Sequence, residues 1–281
     1  MTGTREPAAR PADAGGRAEL MLALLADARL PTGGHTQSAG LEPALRAGMP
    51  AARVPDYVRA RLATVTRVEA ATAVVARHGA LEAAACDLAG TWLAWAARTP
   101  SPALRETSQR LGRGYLRLLR RLWAGHPAVA ALDEAAVLVA DARRADGVPD
   151  PDEGATSAAR APSGTGAGAG RRAATSRRAP QPPRPVVLGV TAACAGLSAL
   201  QVARLVGYED VQTVAAATLK LEPVDPVVAT GWVVAAQPAI DALARDVAHL
   251  TDPRAIPAHG APLVEQWAEI HARTTERLFS A

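Results

Sequence analysis

Residues 24–42 read Leu-Leu-Ala-Asp-Ala-Arg-Leu-Pro-Thr-Gly-Gly-His-Thr-Gln-Ser-Ala-Gly-Leu-Glu, a stretch that holds both a helix stop and a helix start. Proline cannot donate to a helix ladder, and paired glycines reach backbone angles closed to other residues, so Leu30-Pro31-Thr32-Gly33-Gly34 should end one apolar helix. A second helix is expected to begin near Ser38 and to carry Leu41, Glu42 and Leu45. A helix, a glycine turn and another helix form a joint of a helical bundle.

The flanking chain repeats this pattern. From Glu19 to about Ala140 it reads as successive helices broken at Pro31, Pro50, Pro55, Pro100 and Pro127. The clearest spans residues 99–122, where Ser101 can cap, Pro102 suits the first turn, and Leu104, Ser108, Leu111, Tyr115, Leu118 and Leu122 make a helical stripe. Gly112 inside that helix costs on the order of 1 kcal/mol against alanine, which points to a close backbone contact. After residue 186 the pattern predicts helices over 186–206, 209–221 and 226–247. Glu209 and Asp210 stand where acids favour a helix N-terminus, Asp225-Pro226 forms another cap, and Pro238 is expected to kink its helix. A last helix is marked by Leu263, Trp267, Ile270, Thr274 and Leu278.

Two segments depart from the pattern. Residues 1–17 are rich in Pro, Gly, Ala and Arg without apolar period and are expected to form a disordered leader. Residues 146–185 shift to Gly, Ala, Ser, Pro and Arg, too poor in apolar surface to offset chain entropy, and are expected to form a disordered insertion. Its Gly-x-Gly repeats follow no strand and precede no Gly-Lys-Ser/Thr, so they are low-complexity sequence and not a phosphate loop. The chain has 281 residues, 49% hydrophobic and 3% aromatic, rich in alanine and poor in strand-forming runs. The expected fold class is therefore all-α: a single-domain helical bundle over residues 18–281 with about eight to ten helices, interrupted at 146–185.

Charge and cysteine content narrow the function classes. The net charge is +4 and the pI is about 9.7, but many arginines (Arg160, Arg171, Arg172, Arg177, Arg178, Arg184) sit in the insertion and Lys220 is the only lysine. No folded basic face is implied, so no nucleic-acid partner is expected. Cys86 and Cys194 belong to no Cys-x-x-Cys pair and fit two buried thiols in a reducing compartment. The apolar run at residues 20–26 is short, flanked by acids and followed by no cleavage site, which argues against a signal peptide. The uncharged run 186–203 is diluted by Gly, Thr, Ser and Gln and reads as a core helix, so no membrane association is expected. Neither Gly-x-Ser-x-Gly nor His-Glu-x-x-His occurs, and no nucleophile has a base at motif spacing. His249, His259 and His271 could in principle hold nickel or zinc, although scattered surface histidines are the simpler reading.

The stretch at 30–42 resembles the signature of the urease accessory protein UreF family, Leu-Pro-x-Gly-Gly-aromatic-x-x-Ser-x-Gly-Leu-Glu. Leu30, Pro31, Gly33, Gly34, Ser38, Gly40, Leu41 and Glu42 meet it, and His35 replaces the aromatic residue. Three further stretches extend the resemblance. Leu104-Arg105-Glu106 with Ser108 and Gly112 resembles a family helix whose leading acid is here Ala103. Lys220-Leu221-Glu222-Pro223 resembles Lys-Leu-x-Pro, with Val224-Asp225-Pro226 in place of Leu-Gly-Gln. His271 to Ser280 resembles the ending His-Glu-x-x-x-x-Arg-Leu-Phe-x-Ser, with Ala272 for glutamate.

The resemblance implies a cytoplasmic, homodimeric, non-catalytic chaperone of metallocentre assembly. It would bind UreD (UreH) and recruit the GTPase UreG, so that nickel is inserted into apo-urease. No cofactor would be bound directly, since nickel and GTP are handled by the partner complex. The residues implied in partner binding are Pro31, Gly33, Gly34, His35, Ser38, Gly40, Glu42, Arg105, Lys220, His271, Arg277, Leu278 and Phe279. No metal site is assigned, and His35 is the first residue to consider as one. The alternative from another class is a helical ligand-binding protein or enzyme with a pocket between two helical halves.

Overall fold

The computed structural model describes residues 11–145, 180–275 and 277–279. Among the described residues there is no strand, and the fold is all-α. In chain order the helices are α1 (Pro11–Leu25), α2 (Leu41–Arg46), α3 (Val54–Ala63), α4 (Val65–Leu81), α5 (Ala85–Arg98), α6 (Pro102–Leu122), α7 (Pro127–Ala145), α8 (Arg184–Cys194), α9 (Ala199–Leu221), α10 (Pro226–Val247) and α11 (Pro262–Arg273). The six-residue α2 is the shortest of them.

The centre is a pair from opposite sides of the insertion. α4 packs along α8, and α8 is buried from Pro185 to Ala193 with no charged residue among them. Close approach is possible because Ala73 and Ala76 of α4 face a glycine: a Cβ on Gly189 would overlap the Ala73 carbonyl and the Ala76 Cβ. Around this pair, α5 and α7 pack together on one side, α6 lies against α8, and α9 lies between α4 and α10. α11 rests on α6 and α2. One contiguous core runs through all of them.

Several sequence expectations are met atom for atom. Ser101 accepts the Leu104 N–H at 3.2 Å as the cap of α6, and Asp225 accepts the Val227 N–H at 2.8 Å as the cap of α10. Gly112 is the predicted close contact, since a Cβ there would collide with the Pro182 carbonyl oxygen in the segment leading into α8.

Others are corrected. α1 begins at Pro11, so the second part of the expected leader is helical, while residues 1–10 lie outside the described residues. Of the expected insertion, residues 146–179 lie outside the described residues, and Arg184 and Pro185 open α8. The turn at 30–34 does not directly end α1, which stops at Leu25, and α2 starts at Leu41 rather than Ser38. The break expected between 206 and 209 lies earlier: Gly196 takes a φ of 74°, and Ser198 with Gln201 forms a capping box that starts α9. The run 186–203 is thus two helices. Gly207 is a packing notch for Ile240 of α10 and not a helix stop. Cys86 is exposed and Cys194 half-buried, so the expected pair of buried thiols is not found. α10 is the one helix among the described residues long and apolar enough to cross a membrane by length and composition, with 33% of that stretch buried.

Candidate functional site

The turn after α1 is built around two left-handed glycines. Gly33 has φ 88° and Gly40 has φ 78°, a region that side chains with a Cβ avoid. Gly34, its neighbour in the pair, has an ordinary φ and opens the short 3₁₀ turn Gly34–Thr36. His35 lies in that turn, and its side chain lies outside the described residues. Gly40 is doubly constrained, because the Tyr57 hydroxyl occupies the place its Cβ would need and donates to the Ala39 carbonyl at 2.7 Å. The turn delivers the first residues of α2 inward. Ser38 Oγ accepts the Glu42 N–H at 3.3 Å, and the Glu42 side chain is 0% exposed.

That buried carboxylate is where the N-terminal turn and the C-terminal tail meet. The Leu278 N–H donates to Glu42 Oε1 at 2.8 Å and the Phe279 N–H to Oε2 at 2.9 Å. His271 Nε2 lies 3.1 Å from Oε2, and Arg46 Nη2 lies 2.8 Å from Oε1. Burial alone would raise the Glu42 carboxyl, but the two backbone N–H groups, with His271 and Arg46 beside it, hold it below its usual range. Burial also pushes the His271 imidazole down, against the pull of Glu42. Phe279 is 4% exposed, and the Lys220 ammonium sits 5.1 Å from its ring centroid, a cation–π distance. Arg277 donates to the His271 carbonyl at 3.3 Å, next to the exposed Leu278.

Three of the four motifs therefore share one face: the 31–42 turn, Lys220 and the tail. Arg105 does not join them, since it donates to the carbonyls of Thr99 at 2.7 Å and Pro100 at 2.9 Å and ties down the connection between α5 and α6. Ser38, Glu42, His271 and Phe279, expected on partner-facing surface, are instead buried, because their polar atoms and the Phe279 ring are used on one another and on the core. Pro31, Lys220, Arg277 and Leu278 are exposed, and Gly33, Gly34, Gly40 and Arg105 are partly so. Thr36, beside His35, donates to the Gly33 carbonyl at 2.8 Å.

Beside this face lies a cleft of about 170 Å³ lined from both sides of the insertion, including Gln37, Arg61, Glu69, Tyr115, Arg184 and Asp210. Its floor is a charged network. Arg61 binds Asp210 through Nε at 3.0 Å and Nη2 at 2.5 Å, and Thr66 adds a bond to Asp210 at 2.7 Å. Arg184 bridges Glu209 at 2.5 Å and Glu69 at 3.4 Å. Tyr115 donates to Glu209, and Trp95 Nε1 donates to Glu69 at 2.9 Å. Burial opposes the charge on Asp210, yet Arg61 beside it holds the carboxyl below its usual range. Burial pushes Glu69 up.

Sequence reasoning missed this network entirely. It read Glu209 and Asp210 as helix-start residues, whereas they lie mid-helix in α9 and face arginines up to 149 positions away. The only local signal is two acids on a long helix with no base three or four positions from either. Among the described residues no group of three His, Cys, Asp or Glu is placed to hold a metal ion. His249 and His259 are exposed while His271 is buried on Glu42.

The fold and this face define an all-helical protein in which the 31–42 turn is tied to residues 271–279 beside a cleft with a charged floor. The family model described as UreF matches residues 50–237, and the chain belongs to that family. Curated relatives agree in the part they cover. The urease accessory protein UreF of Mycolicibacterium vanbaalenii is 42% identical over 104 residues, which are 36% of this chain and 48% of the relative. That of Mycobacterium sp. (strain JLS) is 41% identical over 107 residues, 37% and 48% of the two chains. That of Mycobacterium tuberculosis (strain ATCC 25177 / H37Ra) is 39% identical over 105 residues, 37% and 47%. The match thus spans about half the length of these relatives. Arg105 and Lys220 fall inside the span of the family model; the 31–42 turn and the tail fall outside it.

Proposed function

We propose that this chain is a non-catalytic scaffold of urease maturation. It binds UreD (UreH), recruits the GTPase UreG, and so supports delivery of nickel into apo-urease in the cytoplasm, with no cofactor, nucleic acid or membrane of its own. In this reading nickel is cargo, GTP belongs to the partner, and the chain works as a homodimer. The observation that carries the reading is the gathering of the 31–42 turn, Lys220 and the tail on one face of a UreF-family fold. On that face Arg277 and Leu278 point outward, a basic and an apolar group side by side, as partner anchors are. A ligand pocket or active site in the cleft has less support, because the charged groups on its floor are engaged with one another.

Complementation tests this directly. In a strain lacking its own UreF-family protein, expression of this chain should restore urease activity. The double variant Arg277→Ala, Leu278→Asp should restore no more than about a tenth of it, the loss typical of a central anchor pair. No restoration by the parent chain would refute the reading. Full restoration by the double variant would remove the tail from it.

A further inference from the structure

We propose that Glu42 is a positioning residue: a fully buried carboxylate that clasps the main chain of Leu278 and Phe279 and so fixes the direction in which Arg277 and Leu278 leave the protein. The inference rests on the functional reading above only for what the tail docks to; the clasp itself stands on geometry.

The arrangement is unlike a side-chain pairing. Both Glu42 oxygens accept backbone N–H groups of adjacent residues, at 2.8 Å and 2.9 Å. Such bonds to a carboxylate are charge-assisted and about twice as strong as neutral ones. Holding a tail by its main chain leaves the Leu278 side chain to face solvent. Successive side chains then diverge: Phe279 turns inward at 4% exposure and Leu278 outward at 61%. Two further contacts fix the carboxylate, Arg46 on Oε1 and His271 on Oε2. A third fixes the tail from above, Lys220 over the Phe279 ring. Among the described residues after α11, 274–275 and 277–279, none is helical. Besides the clasp, the Phe279 ring under Lys220 and the Arg277 bond to the His271 carbonyl tie residues 277–279 to the protein. The glycine turn accordingly has a purpose beyond joining two helices: with φ 78° at Gly40 and the Ser38 bond to the Glu42 N–H, it aims one carboxylate at the far end of the chain.

The test is backbone amide exchange, resolved to residues 277–279, on the full chain and on Glu42→Gln. Glutamine keeps the shape but offers one oxygen where the carboxylate offers two, and its NH2 faces one of the donors. Protection of the Leu278 and Phe279 amides should fall about tenfold or more, the equilibrium equivalent of one lost charge-assisted bond. Amides of α4 and α8 should keep their protection. Leu278→Pro provides an independent variant, since it removes one donor at an exposed position and leaves Glu42 untouched; protection at Phe279 should fall there as well. Unchanged protection at Phe279 in both variants overturns the clasp. Capture of UreD or UreG by Glu42→Gln separates the two readings. Lost protection with weakened capture supports both. Lost protection with unchanged capture leaves the clasp standing and removes the tail from the docking surface.

Discussion

At the scale of single residues, Glu42 and His271 make the tail sensitive to acid. The Glu42 carboxyl is held below its usual value in the folded protein, so its contribution is full above the ordinary carboxylate pKa and is lost as pH falls through the folded one. The His271 imidazole is also held low. The unfolded chain takes up that proton more readily, and stability again falls with pH. Arg46 and Arg277 face the same pair and push it in the same direction. Protection of the Leu278 and Phe279 amides, corrected for intrinsic exchange, should therefore be highest above about pH 7 and should weaken first below about 6.5 and again below about 4.3. Protection that stays constant from pH 7.5 to 4 would contradict this. The sequence shows Glu42 as the last residue of a turn signature; it does not show that the side chain loses all contact with water, since its partners lie more than two hundred positions away.

At the scale of elements, glycines and caps were legible where their partners are local. Ser101 and Asp225 cap as their positions imply, because a cap needs only the next turn of chain. Gly112 was legible as a close contact but not as a contact with the segment entering α8. Replacing it with alanine sets two effects against each other. Helix propensity would gain about 1 kcal/mol, but the new Cβ would overlap backbone atoms of Pro182 and Pro183, which cannot swing aside as a side chain could. The overlap should win: Gly112→Ala is expected to lose about 1–3 kcal/mol net, a fall of several degrees in Tm by thermal denaturation. The inward face of α11 was not legible for a related reason. Leu263 and Ile270, which mark the helix in the sequence, are 61% and 53% exposed, while Val264, Ala268 and His271 turn inward. Glu269 accepts from Ser101 Oγ at 2.5 Å and the Ala103 N–H at 2.9 Å, and with His271 on Glu42 it sets the rotation of the helix. Polar anchoring outweighed the apolar stripe.

At the scale of the whole molecule, the insertion interrupts the sequence but not the core. α4 and α8, from its two sides, form the central pair, and Arg61 with Asp210 and Glu69 with Arg184 tie the same two sides through buried charge. Neither side has a complete core alone. The chain should accordingly unfold in one transition, with calorimetric and van't Hoff enthalpies equal within error. Two separable transitions would show that the sides fold independently.

The sequence by itself determined the fold class, the main helix-breaking turns, several caps and the motifs that resemble one family, because these follow from backbone preference and spacing within a few residues. It also placed Gly33 in a turn that needs it; Gly40, expected inside a helix beginning near Ser38, instead precedes α2 with a left-handed φ. Only the tertiary structure decided that Glu42 faces the tail, that Glu209 and Asp210 lie in the core of α9's contacts, and which face of α11 is inside. Those outcomes depend on pairing charges and amides drawn from distant parts of the chain. A buried carboxylate has no local preference for its partner; it takes the donors that packing brings within about 3 Å of it.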